Sequence, residues 1–190
     1  VIGAGVAGLA VARALALRGA GVTVLEQAPE ISEVGAGIQL SPNGGRVLEA
    51  LGLGQALAAA SGESRAVVLR DARGAQVLRM DLAGRGRFAL VHRADLIAVL
   101  EEGARAAGVT VETGAPVAEV VPGERPAVRM ADGRLRQPDL VIGADGLHSR
   151  VRAALLGEAR PRFTGQVAWR ALVEGSGEPA EAHVFMGPGR

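Results

Sequence analysis

The chain has 190 residues, 48% hydrophobic and 22% charged, with a formal net charge of +1; this fits one globular domain, or one with an insertion, and gives no reason to invoke nucleic acid. All 21 basic residues are arginine and scattered along the chain, and the lack of cysteine removes disulfides, cysteine metal sites and thiol catalysis together. No run of about 18 uninterrupted apolar residues offers a membrane span, and no secretory signal is visible, so the expected location is cytoplasmic.

The chain opens VIGAGVAGLAVARALALRGAGVTVLEQ. Val1-Ile2 reads as the tail of a strand, Ala7 to Arg18 as a helix and Val22 to Glu26 as a second strand. The glycines of Gly3-x-Gly5-x-x-Gly8 fall where strand turns into helix. Gly3 permits the tight turn, Gly5 lets a pyrophosphate approach the backbone, and Gly8 lets helix and strand pack closely. The helix N-terminus offers N–H groups and a positive dipole end to phosphates. Glu26 follows Gly8 at close to the spacing of about 20 residues expected of an acid that binds a ribose hydroxyl. The pattern predicts a dinucleotide site; a Gly-rich turn that only packs a helix on a sheet is the alternative.

Downstream, residues 28–38 read as a glycine-containing loop and Ile38 to Leu40 as an extended segment. Ser41-Pro42-Asn43 starts a helix over Gly44 to Leu51, stopped by Gly52, and Gln55 to Ala60 forms another short helix. Arg65 to Arg70 and Gln76 to Met80 flank Asp71-Ala72-Arg73-Gly74 as a hairpin. Asp95 to Ala107 has apolar residues at helical spacing and ends at Gly108. Val109 to Glu112, Val117 to Val121 and Ala127 to Met130 read as strands, with Asp132-Gly133 as a turn. In DLVIGADGLHSRVR, Leu140 to Ile142 reads as a buried strand, Gly143 to Gly146 as a turn and Ser149 to Leu156 as a helix. An Asp at such a joint can reach a cofactor lying across a sheet edge, or serve only as a turn or cap residue. Phe163 to Val173 reads as a long strand and Ala182 to Met186 as another, both antiparallel, suggesting a β-rich second layer. Only Val1 and Ile2 precede Gly3, and the chain stops in an apparent turn, so it reads as a piece of a longer protein.

Four segments in order, GAGVAGL with Glu26, GAGIQLSPNG, HRADL and DLVIGADGLHSRVR, together with FTGQVAWRALV, resemble the single-component FAD-dependent aromatic monooxygenases, on the salicylate and hydroxybenzoate hydroxylase branch. The resemblance implies an α/β fold. A Rossmann-like FAD-binding domain with a parallel sheet would occupy residues 1–64 and 92–161. An incomplete antiparallel β-sheet substrate domain would occupy 65–91 and 162–190. It implies that Gly3, Gly5 and Gly8 cradle the FAD pyrophosphate, with Glu26 at the adenosine ribose and its neighbour Gln27 among the cofactor-binding residues. Arg93 would contact FAD, or else pair with a surface acid. Asp145 belongs to the Asp-Gly motif tied to FAD and the nicotinamide cofactor. Val117 offers backbone groups to the adenine, or is plain strand core. Gly37 and Gln39 lie on a segment, Gly35 to Leu40, beside the isoalloxazine ring; Gln39 faces flavin or substrate, or simply solvent. His148 is read as a near-cap residue, His92 and His183 have no partner visible in sequence, and no metal site is expected.

The implied reaction uses NAD(P)H to reduce FAD and O₂ to hydroxylate a small aromatic, phenolic acid-like substrate through a C4a-hydroperoxyflavin. No catalytic residue is assigned, because the chemistry belongs to the cofactor. The family's downstream Gly-Asp motif has no match, since no Gly-Asp dipeptide occurs in the chain. Weak FAD binding and little hydroxylation are therefore expected of this piece alone. Two alternatives stay open: an NAD-dependent Rossmann dehydrogenase, and a non-catalytic FAD-binding fragment.

Overall fold

A computed structural model describes residues 1–31, 37–169, 171 and 180–187. In chain order the elements are α1 (Val6–Ala16), β1 (Thr23–Leu25), β2 (Gly37–Leu40), α2 (Pro42–Ala50), α3 (Gly54–Ala59), β3 (Ser61–Glu63), β4 (Ala66–Arg70) and β5 (Gln76–Asp81). There follow β6 (Ala89–His92), α4 (Arg93–Ala106), β7 (Thr110–Glu112), β8 (Val117–Val121), β9 (Ala127–Met130), β10 (Leu135–Arg136), α5 (Arg150–Leu156) and β11 (Glu181–Phe185). The chain divides into two compact units. One holds Val1–Glu33 and Ile97–Trp169, the other Val34–Leu96 and Arg170–Arg190.

The first unit is built on parallel pairing. β1 runs parallel to β7, with Thr23 opposite Thr110. The first residues of the chain lie on the other side of β1: Gly3 N–H donates to the Leu25 carbonyl at 2.8 Å, and Leu25 N–H to that of Val1 at 2.9 Å. Residues 142–144 flank them in turn, with Ile2 N–H donating to Ile142 O at 2.9 Å and Ala144 N–H to Ile2 O at 2.8 Å. Two glycine joints, at Gly3 and at Gly143–Gly146, thereby end up side by side. Helix α1 is rich in Ala and Leu, which lose little freedom on becoming helical. It buries Gly8, Leu9 and Ala12, and full burial of a side chain like Leu9 contributes about 2 kcal/mol. Gly19, at φ +88°, supplies the left-handed residue that stops it. The antiparallel meander β8–β9–β10 and α5 close a core of Ile2, Leu25, Ala115, Val120, Val128, Met130 and Val151.

The second unit carries two three-stranded sheets, in the orders β2-β6-β3 and β11-β4-β5. The expected hairpin is present: β4 and β5 are antiparallel. Asp71 Oδ1 accepts from the Arg73 and Ala75 N–H groups at 2.8 and 2.9 Å, and Gly74 sits at φ +86°.

Three strand expectations change. Leu140 to Ile142 is not a buried strand: Leu140 is 64% exposed, and the segment meets its neighbour through a single bridge, Ile2 with Gly143. Phe163–Trp169 contains no strand, and Trp169 is 93% exposed; β-forming residues become a strand only against a neighbouring ladder. Residues 170, 172 and 173 of that expected strand lie outside the described residues. The last expected strand exists as β11, but it pairs with β4 in parallel, Glu181 opposite Ala66, so the sheet β11-β4-β5 is mixed.

Candidate functional site

In the first unit the joints at Gly3 and Gly143–Gly146 border a cavity of about 810 Å³. That lies within the range of about 300–1,000 Å³ usual for small-molecule sites. Gly3, Gly5, Glu26, Gln27, Val117 and Asp145 all line it. Gly8 lies beneath them, buried in α1.

The three glycines have different reasons to be glycine. Gly3 has φ +99°, and a Cβ there would stand 2.4 Å from the Ala144 carbonyl oxygen. A Cβ on Gly8 would stand 1.9 Å from the Gly3 oxygen. Both are required by the chain's own packing. Gly5, at φ −75° and ψ −177°, has a backbone any residue adopts, and a Cβ there would meet nothing within 4 Å. It is one of the residues that line the cavity. Gly5 is also the N-cap of α1, which has no side-chain cap and no acid in its first turn. The first N–H groups and the positive dipole end of the helix thus remain available to an anion.

Glu26 closes β1 and is half-buried. Its Oε2 accepts from Ala4 N–H at 2.8 Å and its Oε1 from Ala28 N–H at 2.9 Å. A carboxylate has about four acceptor positions, so two remain for ligand hydroxyls. Gln27 is exposed, and Val117 is half-buried at the start of β8. The Asp145 carboxylate caps the first turn of α5. Its Oδ1 accepts from Ser149 Oγ at 2.6 Å, and its Oδ2 from the N–H groups of Arg150 at 2.6 Å and Val151 at 3.2 Å. The cap reading of Asp145 is therefore realised, on a residue that also lines the cavity. Ser149 Oγ completes the arrangement by accepting from Arg152 N–H at 2.9 Å. Ser149 was missed as a site residue; its place four residues after Asp145 and just before an apolar run was the available signal. Arg150, Arg152 and Arg160 also line the cavity, and scattered arginines carry no sequence signal of that kind. His148 lines it too, exposed and next to Ser149.

Gly37, Gln39 and Arg93 belong to the second unit. Gly37 and Gln39 lie on β2, paired with His92 and Leu90 of β6. Gln39 is exposed, and its Nε2 donates to Oγ of Ser64 at 3.1 Å. Ser64 is 3% exposed, so a buried hydroxyl holds the amide. Arg93 opens α4 and is half-buried. Gly35 and Ala36, the other small residues of that expected segment, lie outside the described residues. His183 has partners that sequence did not reveal: Arg70 Nε donates to its Nδ1 at 3.0 Å, and its Nε2 lies 3.2 Å from Glu181.

The profile of one protein family, described as "FAD binding domain", matches residues 1–174. The chain belongs to that FAD-binding family. It is 45% identical, over its whole length, to 3-amino-4-hydroxybenzoate 2-monooxygenase of Streptomyces cremeus, of which it covers 51%. It is 35% identical to 3-hydroxybenzoate 6-hydroxylase 1 of Aquipseudomonas alcaligenes, with 95% of this chain and 48% of the relative aligned. Among solved structures, 2-methyl-3-hydroxypyridine-5-carboxylic acid oxygenase superposes with a TM-score of 0.74 at 30% identity, over 81% of this chain and 40% of the other. The chain thus spans about half the length of the curated relatives it matches. Among the described residues no helix is long and apolar enough to cross a membrane.

Proposed function

We propose that this chain supplies the FAD-binding part of a monooxygenase that uses NAD(P)H and O₂ to hydroxylate a small aromatic acid. In this reading residues 1–64 and 92–161 carry the cofactor, and 65–91 with 162–190 begin the substrate layer. The observation that carries the cofactor reading is the contrast among the three glycines. Gly3 and Gly8 are demanded by internal packing, whereas a Cβ at Gly5 would meet no atom of the chain, and Gly5 lines a cavity beside an uncapped helix N-terminus. A pyrophosphate fits that combination. Support for the reaction comes from the named activities of the relatives, several of which are monooxygenases or hydroxylases of hydroxybenzoates.

The residues fit FAD as follows. The N–H groups at the start of α1 hold the pyrophosphate, and the two unused acceptor positions of Glu26 take the adenosine ribose. Gln27 and the backbone at Val117 border the adenosine. Asp145 fixes the turn that abuts Gly3, so the backbone of Ala144–Gly146 is held against the cofactor cradle. Gly37, Gln39 and Arg93 are assigned to the flavin end. When bound, the flavin supplies electron transfer from NAD(P)H and activation of oxygen. The chain's own contribution is to bind, orient and exclude water.

The test is an absorbance spectrum after incubation with excess FAD and desalting. Retained flavin bands support the reading. A colourless protein whose melting temperature rises with NAD and not with FAD replaces it with a nicotinamide-binding one. NAD(P)H oxidation stimulated by aromatic acids, with hydroxylated product, tests the reaction itself; retained FAD without product would favour a non-catalytic flavin-binding piece.

A further inference from the structure

We propose that Glu26 is a positioning residue for the glycine loop as well as a ligand for the nucleotide ribose. Its carboxylate pins the Ala4 amide and so shapes the pyrophosphate cradle before any nucleotide arrives. The proposal rests on the FAD reading above.

Ala4 lies between Gly3 and Gly5, and its N–H donates to Glu26 Oε2 at 2.8 Å, across a separation of 22 residues. The other oxygen takes Ala28 N–H at 2.9 Å, just beyond β1. The backbone of Glu26 is itself fixed, since its N–H donates to Glu112 O at 2.8 Å and its carbonyl accepts from Ala115 N–H at 2.8 Å. The carboxylate is thus a strut from the end of β1 to the middle of the glycine turn. The turn needs one. Gly3 and Gly5 have no side chains to hold it, glycine loses the most conformational freedom on ordering, and α1 has no side-chain cap of its own. A charged acceptor on a backbone N–H makes a stronger hydrogen bond than a neutral one. The same two N–H donors offset the charge of an acid beside a phosphate site. They also fix its rotamer, which leaves its free acceptor positions oriented for a ribose and lowers the ordering cost of binding.

The test has two readouts on the chain as it stands. In nucleotide-free protein, hydrogen–deuterium exchange at the Ala4 amide is slow. Glu26→Ala, which removes both acceptors, raises it at least about tenfold, and Glu26→Gln, which keeps one acceptor oxygen, raises it less, while the Ile2 and Gly3 amides, bonded to Ile142 and Leu25, stay protected. Calorimetric titration well below the melting temperature then compares inorganic pyrophosphate with ADP. The dual role weakens both ligands in Glu26→Ala, ADP by the larger factor because it also loses the ribose contact. An Ala4 amide that exchanges equally fast in all three proteins overturns the strut. Loss of ADP affinity with pyrophosphate affinity unchanged also overturns it, leaving Glu26 a ribose ligand alone. A wild-type chain that binds neither ligand refutes the nucleotide reading and the cradle with it.

Discussion

Alanine at each glycine of the loop separates what the fold needs from what the cofactor needs. At Gly5 the backbone is extended and a Cβ meets no atom of the chain. Stiffening the unfolded chain stabilises Gly5→Ala by about 0.4–1 kcal/mol, and alanine as a poorer N-cap than glycine costs a similar amount. The net is about 0.5 kcal/mol or less, about 1–2 °C in Tm for a chain of this size. On the proposed reading the methyl group meets the pyrophosphate, so FAD affinity falls at least about tenfold, which is about 1.4 kcal/mol. At Gly8 the Cβ would stand 1.9 Å from the Gly3 oxygen, against an ordinary C···O approach of about 3.3 Å. Helix α1 has to move by more than 1 Å, at the upper end of overpacking costs, about 3 kcal/mol or about 6–12 °C. Gly3→Ala adds the strain of a positive φ, about 1–2 kcal/mol, to its own clash with Ala144. Differential scanning fluorimetry with and without FAD reads all three variants. A Gly5→Ala protein as destabilised as Gly8→Ala, or one that binds FAD normally, would refute the assignment of Gly5 to the ligand.

The remaining predictions concern the supports of the two units. Asp145→Ala leaves Ser149 Oγ and two α5 amides without their acceptor and costs about 1–2 kcal/mol in chemical denaturation; Asp145→Asn, with one acceptor oxygen, recovers part of it. Glu112 and Arg136 make paired hydrogen bonds of 2.8 and 2.6 Å, which hold the Glu112 carboxyl below its ordinary range. A depressed carboxylate contributes stability above its unfolded pKa and loses it as pH falls through the folded value. The stability gap between wild type and Glu112→Gln is accordingly full at neutral pH and closes below about pH 4; a gap that widens in acid contradicts the pairing. Ser64→Ala removes the buried hydroxyl that holds Gln39 and costs about 1 kcal/mol, measured by urea titration, whereas Gln39→Ala, at an exposed position, costs less than half of that.

Local signals in the sequence carried the elements whose cause is local. The apolar spacing around Leu96, Ile97 and Leu100, all buried, marked α4, and the Asp71–Gly74 turn marked the β4–β5 hairpin. Six expected residues, Gly3, Gly5, Glu26, Gln27, Val117 and Asp145, line one cavity, and Gly8 is buried in α1 next to it. What sequence missed depends on distant partners. The parallel direction of β11 is set by β4, more than a hundred residues earlier. Leu140 is 64% exposed, which its apolar neighbours in sequence do not reveal. Asp145 was legible both as a cofactor-reaching acid and as a turn or cap residue, whereas its bond with Ser149 was not. The bond from Glu26 to Ala4 crosses the βα turn, and no spacing rule for ribose recognition contains it.

On the proposed reading FAD occupies the cavity beside the glycine loop. The most direct measurement is the visible spectrum of the desalted chain after FAD loading, taken on wild type and Gly5→Ala together. Flavin bands retained by the wild type, in part only because this piece binds FAD weakly, and lost from an equally stable Gly5→Ala protein are the predicted result. Flavin retained equally by both, or by neither while NAD raises the melting temperature, contradicts it.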